Sequence, residues 1–220
     1  MSAIIPVLDA SAELPRTLAL LAASPLIGEI VVVDGGSRDV SVTVAREAGA
    51  RVIETLRGRG VQLAAGAAAA TGDWFLFLHA DCRPLPGWED AARAFTAASA
   101  DKAGYFDLAL EDNAPAARRL ERVVAWRCRA LALPYGDQGL LIHRDLYAVI
   151  GGYAAIPLME DVDLARRLGR ARLRPIGATM LASAQRYRRG GYVRRPLRNL
   201  VCLSLYFAGV NPARIAKIYG

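Results

Sequence analysis

The chain reads as an α/β protein with a mostly parallel central sheet and helices on both faces, and three observations predict this. Short, β-branched apolar runs alternate with alanine- or leucine-rich stretches of helical length. The strand-like runs lack polar alternation, as strands covered on both faces do. Three of them end in an acid close to small or turn-forming residues. Parallel strands need a crossover to return the chain, so strand-helix-strand alternation argues for a parallel sheet.

Taken in order, residues 2–8 form a buried strand and residues 14–23 a helix without internal breaker. Residues 29–34 are a second strand that stops at Gly35-Gly36-Ser37; residues 39–48 are helix and 51–54 a short strand. The alanine-rich stretch 62–70 reads as helix, and 73–78 as a buried strand closing at His79-Ala80-Asp81. The second half is less regular: strands at 103–110 and 138–142, a long amphipathic helix at 115–133, and a shorter one at 159–169 with acids in its first turn. Residues 186–195 read as a basic, glycine-containing loop. Two helices follow, at 196–206 and 212–219, each opened by proline, which suits a first helical turn. One domain over residues 1–190 is expected, with a helical tail at 191–220 packed on it, on a partner subunit or on a membrane surface.

Composition narrows the partners. The 220 residues are 54 % hydrophobic and 22 % charged, enough for one substantial core and with no disordered half. Cys82, Cys128 and Cys202 make an odd set with no close pair, which excludes a disulfide framework and a CxxC metal knuckle and fits a reducing compartment. The start has no basic region ahead of its apolar run and reads as a strand, not a signal peptide. Residues 61–80 are interrupted by Gly72 and Asp73, and 200–210 fall short of the ~18 residues a span needs. A cytoplasmic protein is expected, with the inner face of the membrane as a second place of work. The net charge of +7 attracts something anionic: nucleic acid, a membrane surface or substrate phosphates.

In parallel sheets ligands sit beyond the carboxyl ends of the strands, where the strand order reverses. Asp9, Asp34 and Asp81 lie at three such ends. Asp34 can accept hydrogen bonds from a ribose or base, with Gly35 allowing close approach; equally, Asp34 can start a turn whose Ser37 caps the next helix. Asp81 offers a hard oxygen donor for a divalent ion bridging two phosphates, or is a plain strand-end acid. Glu160, Asp161 and Asp163 open a helix, where acids complement the dipole without further role, yet one carboxylate facing the ligand edge can serve as general base. Asp137 and Gln138 sit in a glycine-bracketed turn suited to sugar hydroxyls or to turn geometry alone. Arg186, Arg188 and Arg189 can close over phosphate oxygens or form a solvated loop. His79 and His143 each read first as structural, but His79 gains interest from its place beside Asp81.

Together these residues resemble the family 2 glycosyltransferases, nearly from end to end and in the expected order. The opening strand through Pro6 and Asp9 is similar to that family's first strand, which lines the base pocket. Val33-Asp34-Gly35-Gly36-Ser37-Arg38-Asp39 resembles the VDDGSxD segment, which implies that Asp34 contacts the base. Arg57-Gly58-Arg59-Gly60 is similar to the donor-side loop, and Arg57 and Gly60 are carried over to nucleotide-sugar binding together with His79. His79-Ala80-Asp81 stands where the family has DxD; Asp81 matches the metal-binding acid, and His79 replaces the first acid. Glu160-Asp161 resembles the ED motif, implying Asp161 as the base. Gln185-Arg186-Tyr187-Arg188-Arg189 is similar to QxxRW without its tryptophan, leaving Arg186 a phosphate role.

The resemblance implies a GT-A fold, a nucleotide-sugar donor linked to UDP, Mg²⁺ or Mn²⁺, and transfer to a hydroxyl with inversion. Asp137, Gln138, Glu160 and Arg186 fall on the acceptor or phosphate side. The strings HAD, PYGDQG and PLMEDVDL are closest to a small bacterial group associated with radical SAM and selenium-domain proteins. No nucleic-acid partner is expected; lipid-linked acceptors, peripheral membrane contact and a homodimer stay open. Two other readings compete. A nucleotidyltransferase needs a glycine-rich basic loop after the first strand, and residues 8–14 hold neither glycine nor lysine. A non-catalytic module would use the basic, apolar tail to bind anionic surfaces.

Overall fold

The computed structural model describes residues 1–98 and 100–219; Gly220, the end of the expected tail, lies outside the described residues. Strands β1 (Ser2–Val7), β2 (Glu29–Asp34), β3 (Arg51–Glu54) and β4 (Trp74–Phe77) run parallel in the order β3-β2-β1-β4. Helices α1 (Leu14–Ala22), α2 (Ser41–Glu47) and α3 (Arg59–Ala69) make the crossovers. α1 packs through Leu14, Leu18 and Leu21, whose spacing places them on one face. α3 crosses close over the sheet because Gly66 has no Cβ; one added there would press into the side chains of Ile4 and Val33. The chain leaves β1 for β2 and β3 and then returns to the other side of β1, so the end of β1 is the point where strand order reverses.

The second half extends this sheet through β5 (Cys82–Pro84), β6 (Ala103–Leu110), β7 (Leu140–His143) and β8 (Leu173–Ala182). The eight strands lie in the order β3-β2-β1-β4-β7-β6-β8-β5. β7 runs antiparallel between β4 and β6, β8 pairs parallel with β6, and β5 closes the far edge antiparallel to β8. Four of the seven pairings are parallel. Helices α4 (Trp88–Ala98), α5 (Pro115–Leu131), α6 (Arg144–Val149) and α7 (Glu160–Arg172) cover it. Fully buried Ile4, Ile5, Leu76, Phe106 and Leu141 join both halves in a single core.

Several expectations shift. β8 carries no strand pattern in the sequence, because Pro175 and Gly177 interrupt it; they sit where the β6–β8 register slips between Tyr105 and Asp107, and Gly177 has φ +84°. The strand expected at 138–142 begins at Leu140, since residues 136–138 form a 3₁₀ turn. α7 passes through Gly169 at φ 68°, which breaks its regular backbone before the last residues. The basic loop is partly helical as α8 (Gln185–Gly190). α9 (Arg194–Phe207) starts two residues before Pro196, still within a first turn that needs no amide donor, while α10 (Pro212–Tyr219) opens at its proline. Tyr206 of α9 donates its hydroxyl to Asp163 of α7 at 3.1 Å, and Cys202, Leu203 and Ile215 are buried. Among the described residues no helix is long and apolar enough to cross a membrane.

Candidate active site

At the end of β2, Asp34 is buried and committed to its own turn. Its carboxylate accepts the amides of Gly36 (2.8 Å) and Ser37 (3.0 Å) and the Ser37 hydroxyl (2.5 Å). Asp9, exposed and at φ 51°, accepts the Arg38 amide at 2.7 Å and so laces the loop after β1 to the loop after β2. Gly35 packs over Gln62, whose amide donates to the Val7 and Val33 carbonyls at 2.8 Å and clamps both strand ends. Pro6 is buried within β1.

Beyond β4 the chain turns through His79-Ala80-Asp81. Thr17 of α1 donates to the Ala80 carbonyl at 2.7 Å, and the Ser183 amide after β8 donates to the Asp81 carbonyl at 3.0 Å. The turn is thus held from both sides. Opposite it, Asp161 in the first turn of α7 accepts the Gly136 amide at 2.9 Å, tying the helix to the turn at residues 136–138. Gly136 is required there, because a Cβ would press on the His79 ring, 2.8 Å from its Cε1. Met159, which precedes α7, holds a left-handed backbone at φ 67°, strain of the kind that clusters at ligand sites.

These segments enclose a cleft with His79, Asp81, Asp137 and Asp161 toward the sheet and Arg59 and Arg186 beside them. Tyr187 of α8, Arg195 and Asn199 of α9 and Tyr219 of α10 wall its other side. Burial pushes the Asp137 carboxyl up, with Asp161 and Asp81 adding to the rise against Arg127. One Asp137 carboxylate oxygen is buried without a partner. His79 is held down at about 4, first by burial and then by Arg59, against the pull of Asp81, so its ring is neutral near pH 7. Behind the cleft, Glu160 is 1 % exposed and meets Arg59 at 2.8 Å. Burial raises its carboxyl to about 7 even though Arg59 opposes the rise.

His79, Asp81, Asp137, Asp161 and Arg186 therefore converge on one cleft, while Pro6, Asp9, Asp34, Gly35, Arg57, Gly60, Gln138 and Glu160 do not line it. Two of these turn away from the contacts expected of them. Gln138 faces inward: its oxygen accepts from Arg127 at 3.0 Å and its amide donates to the Phe106 carbonyl at 3.0 Å, so it shapes the turn and does not reach toward a sugar. At Gly60 a Cβ would collide with the Ala154 and Ile156 carbonyls, so this glycine serves the seating of α3. Arg57 is exposed. Arg188 pairs with Asp112 at 2.9 Å, outside the cleft.

Arg59 escaped the sequence reading, although a cation in the first turn of a helix opposes the dipole and so signals another purpose. The tail residues Arg195, Asn199 and Tyr219 carry no such signal.

The donor atoms of His79, Asp81 and Cys82 lie within 4.8 Å of one another. Without an ion, burial pushes the Cys82 thiol well up, and its sulfur lies 3.7 Å from Asp81. To this cluster Asp81 brings a carboxylate and His79 a neutral imidazole. Carboxylate oxygen and imidazole nitrogen together fit a divalent ion.

Residues 2–105 match the glycosyl transferase family 2 profile. A TPR repeat-containing protein of Synechococcus elongatus is 41 % identical over 75 residues, 33 % of this chain and only 18 % of that longer relative. Among solved structures, glucosyl-3-phosphoglycerate synthase from Mycobacterium tuberculosis, in complex with Mn²⁺, UDP and glucosyl-3-phosphoglycerate, aligns with a TM-score of 0.58 at 18 % identity. It covers 91 % of this chain and 78 % of its own. A mannosyltransferase from Pyrobaculum calidifontis, in complex with GDP-Man and Mn²⁺, aligns at 0.66 and 17 % identity, over 90 % of this chain and 59 % of its own. The fold is that of the GT-A nucleotide-sugar transferases.

Proposed function

We propose that this chain is a family 2 glycosyltransferase that moves a sugar from a nucleotide-diphosphate donor, UDP-linked by preference, to a hydroxyl acceptor with inversion. The observation that carries the proposal is the convergence of Asp81 and Asp161, 80 residues apart in sequence, on one cleft lined also by Arg59 and Arg186. The family match over residues 2–105 and the nucleotide complexes of the structural neighbours support the same reading. Within the family, HAD, PYGDQG and PLMEDVDL favour the group associated with radical SAM and selenium-domain proteins. Residues 1–190 form the catalytic domain and 191–220 its tail.

In this reading Asp81, with His79 beside it, holds a divalent ion, Mn²⁺ in preference to Mg²⁺, which when bound neutralises charge on the departing diphosphate. Arg59 and Arg186 place guanidinium groups where phosphate oxygens would lie, giving paired hydrogen bonds. Pro6, Asp9, Asp34 and Gly35 shape the nucleoside end at the reversal of strand order. Asp161, oriented by the Gly136 amide, takes the proton of the acceptor hydroxyl as the new bond forms. Asp137 lies on the acceptor side.

The test mixes the protein with UDP- and GDP-sugars and Mn²⁺ and follows nucleoside diphosphate release. Asp161→Asn should keep the donor-induced rise in melting temperature and lose at least about a hundredfold in turnover. Undiminished turnover in that variant would remove Asp161 from the role of base.

A further inference from the structure

α9 has two unlike faces. One side supplies Arg195 and Asn199 to the cleft wall and buries Cys202 and Leu203. The other leaves Val193, Leu197, Leu200, Val201 and Phe207 each 45 to 79 % exposed. At 100° per residue the last four fall within one arc of about 120°, together with exposed Ser204 and Ala208, and the stripe runs for about 15 Å. Isolated exposed leucines need no explanation, but a continuous aliphatic stripe on one helix does.

The charge around this stripe is lopsided. Residues 186–220 carry eight arginines and lysines and no acid, while residues 1–185 sum to −1 within the chain's net +7. Arg189, Arg194, Arg214 and Lys217 are exposed and make no ion pair in the described structure. A second copy of the chain would bring an equal positive field against this one and be repelled. An apolar stripe flanked by unpaired cations instead matches an anionic lipid surface, where aliphatic side chains enter the acyl boundary and the cations meet headgroup phosphates.

We propose that the exposed face of α9 is a docking surface for an anionic bilayer. The helix then lies in the interface plane with the cleft wall on its opposite side, and the transfer site opens beside the membrane. Docking does not depend on the transfer chemistry, because none of the stripe residues lines the cleft.

Flotation of the full chain with phosphatidylcholine vesicles, with and without phosphatidylglycerol at about 30 mol %, tests this. Binding should require the anionic lipid and fall about tenfold between 0.1 and 0.5 M NaCl. Two separate triple variants, Leu197→Ser/Leu200→Ser/Val201→Ser and Arg194→Gln/Arg214→Gln/Lys217→Gln, should each lose about tenfold or more. Their thermal shift with nucleotide diphosphate and Mn²⁺ should be retained, which separates a docking failure from a failure of the transferase reading. The charge variant changes only exposed side chains, so it keeps the test decisive should the apolar variant misfold. The proposal is overturned by absence of binding, by equal binding to neutral vesicles, or by binding that both variants keep. It is equally overturned if light scattering finds a dimer that the apolar variant dissociates and vesicles stay unbound, which would assign the stripe to a second copy.

Discussion

Replacing Glu160 by glutamine should change the pH dependence of stability in a direction that the structure fixes. Glu160 is 1 % exposed and pairs with Arg59, and among the described residues one of its carboxylate oxygens is buried without a partner. Its carboxyl is raised from 4.5 to about 7, with burial the largest cause. The folded protein therefore binds this proton more tightly than the unfolded chain. The resulting stability is fully present below about pH 4.5 and is lost as pH climbs through about 7. At 1.36 kcal/mol for each tenfold change in proton affinity, the loss is about 3 kcal/mol. His79, held at about 4, pulls the other way over much of the same range, so the wild-type curve alone is uninformative. The difference between Glu160→Gln and wild type isolates the term, because His79 is common to both. Urea unfolding from pH 5 to 8 should find the variant gaining on wild type by about 2 to 3 kcal/mol, from an offset set by the lost pairing with Arg59. Parallel curves within about 0.5 kcal/mol would mean that Glu160 is ionised and well solvated, and that the buried-pair description is wrong.

Other outcomes follow from single contacts. Gly60→Ala would drive a methyl group into the backbone carbonyls of Ala154 and Ile156, the latter 2.7 Å away, and should cost about 2 kcal/mol or more, seen as a melting temperature lowered by about 4 to 8 °C. His79→Asp replaces a nitrogen donor by oxygen, so activity in Mg²⁺ relative to Mn²⁺ should rise about threefold or more; an unchanged ratio would take His79 out of the ion's surroundings. Tyr206→Phe removes the hydrogen bond to Asp163 and should loosen the tail by about 1 kcal/mol, read as faster amide exchange in α9 with an unchanged global unfolding midpoint.

The first half of the sheet was legible because strands covered on both faces are written as unbroken apolar runs, and their terminal acids mark the ligand edge without tertiary knowledge. Asp81 and Asp161 could be brought to a common edge on that basis. β8 could not be read, since Pro175 and Gly177 serve a register slip that exists only when β6 lies alongside. For Gln138 the sequence left two readings open, because a polar residue in a glycine-bracketed turn looks alike whether it meets a ligand or the protein's own backbone; its bonds to Arg127 and the Phe106 carbonyl are those of the turn. Arg59 and Glu160 lie 101 positions apart in sequence, and their pairing lies in the packing of α3 beside α7. The cleft wall formed by α9 and α10 depends on where the tail folds back, which no local pattern records.

The far edge of the sheet sets a schedule for synthesis. β5 follows directly on the turn bearing Asp81, yet its partner in the sheet is β8, whose last residue, Ala182, pairs with Cys82. A ribosome adding about 5 to 20 residues per second makes Ala182 some 5 to 20 seconds after Cys82. During that interval the Asp81 carbonyl lacks the amide of Ser183, and the nascent first half exposes an unfinished rim. A chain stalled near residue 105 would hold the parallel strands of the first half without the strand that fixes the turn, a species suited to capture by chaperones.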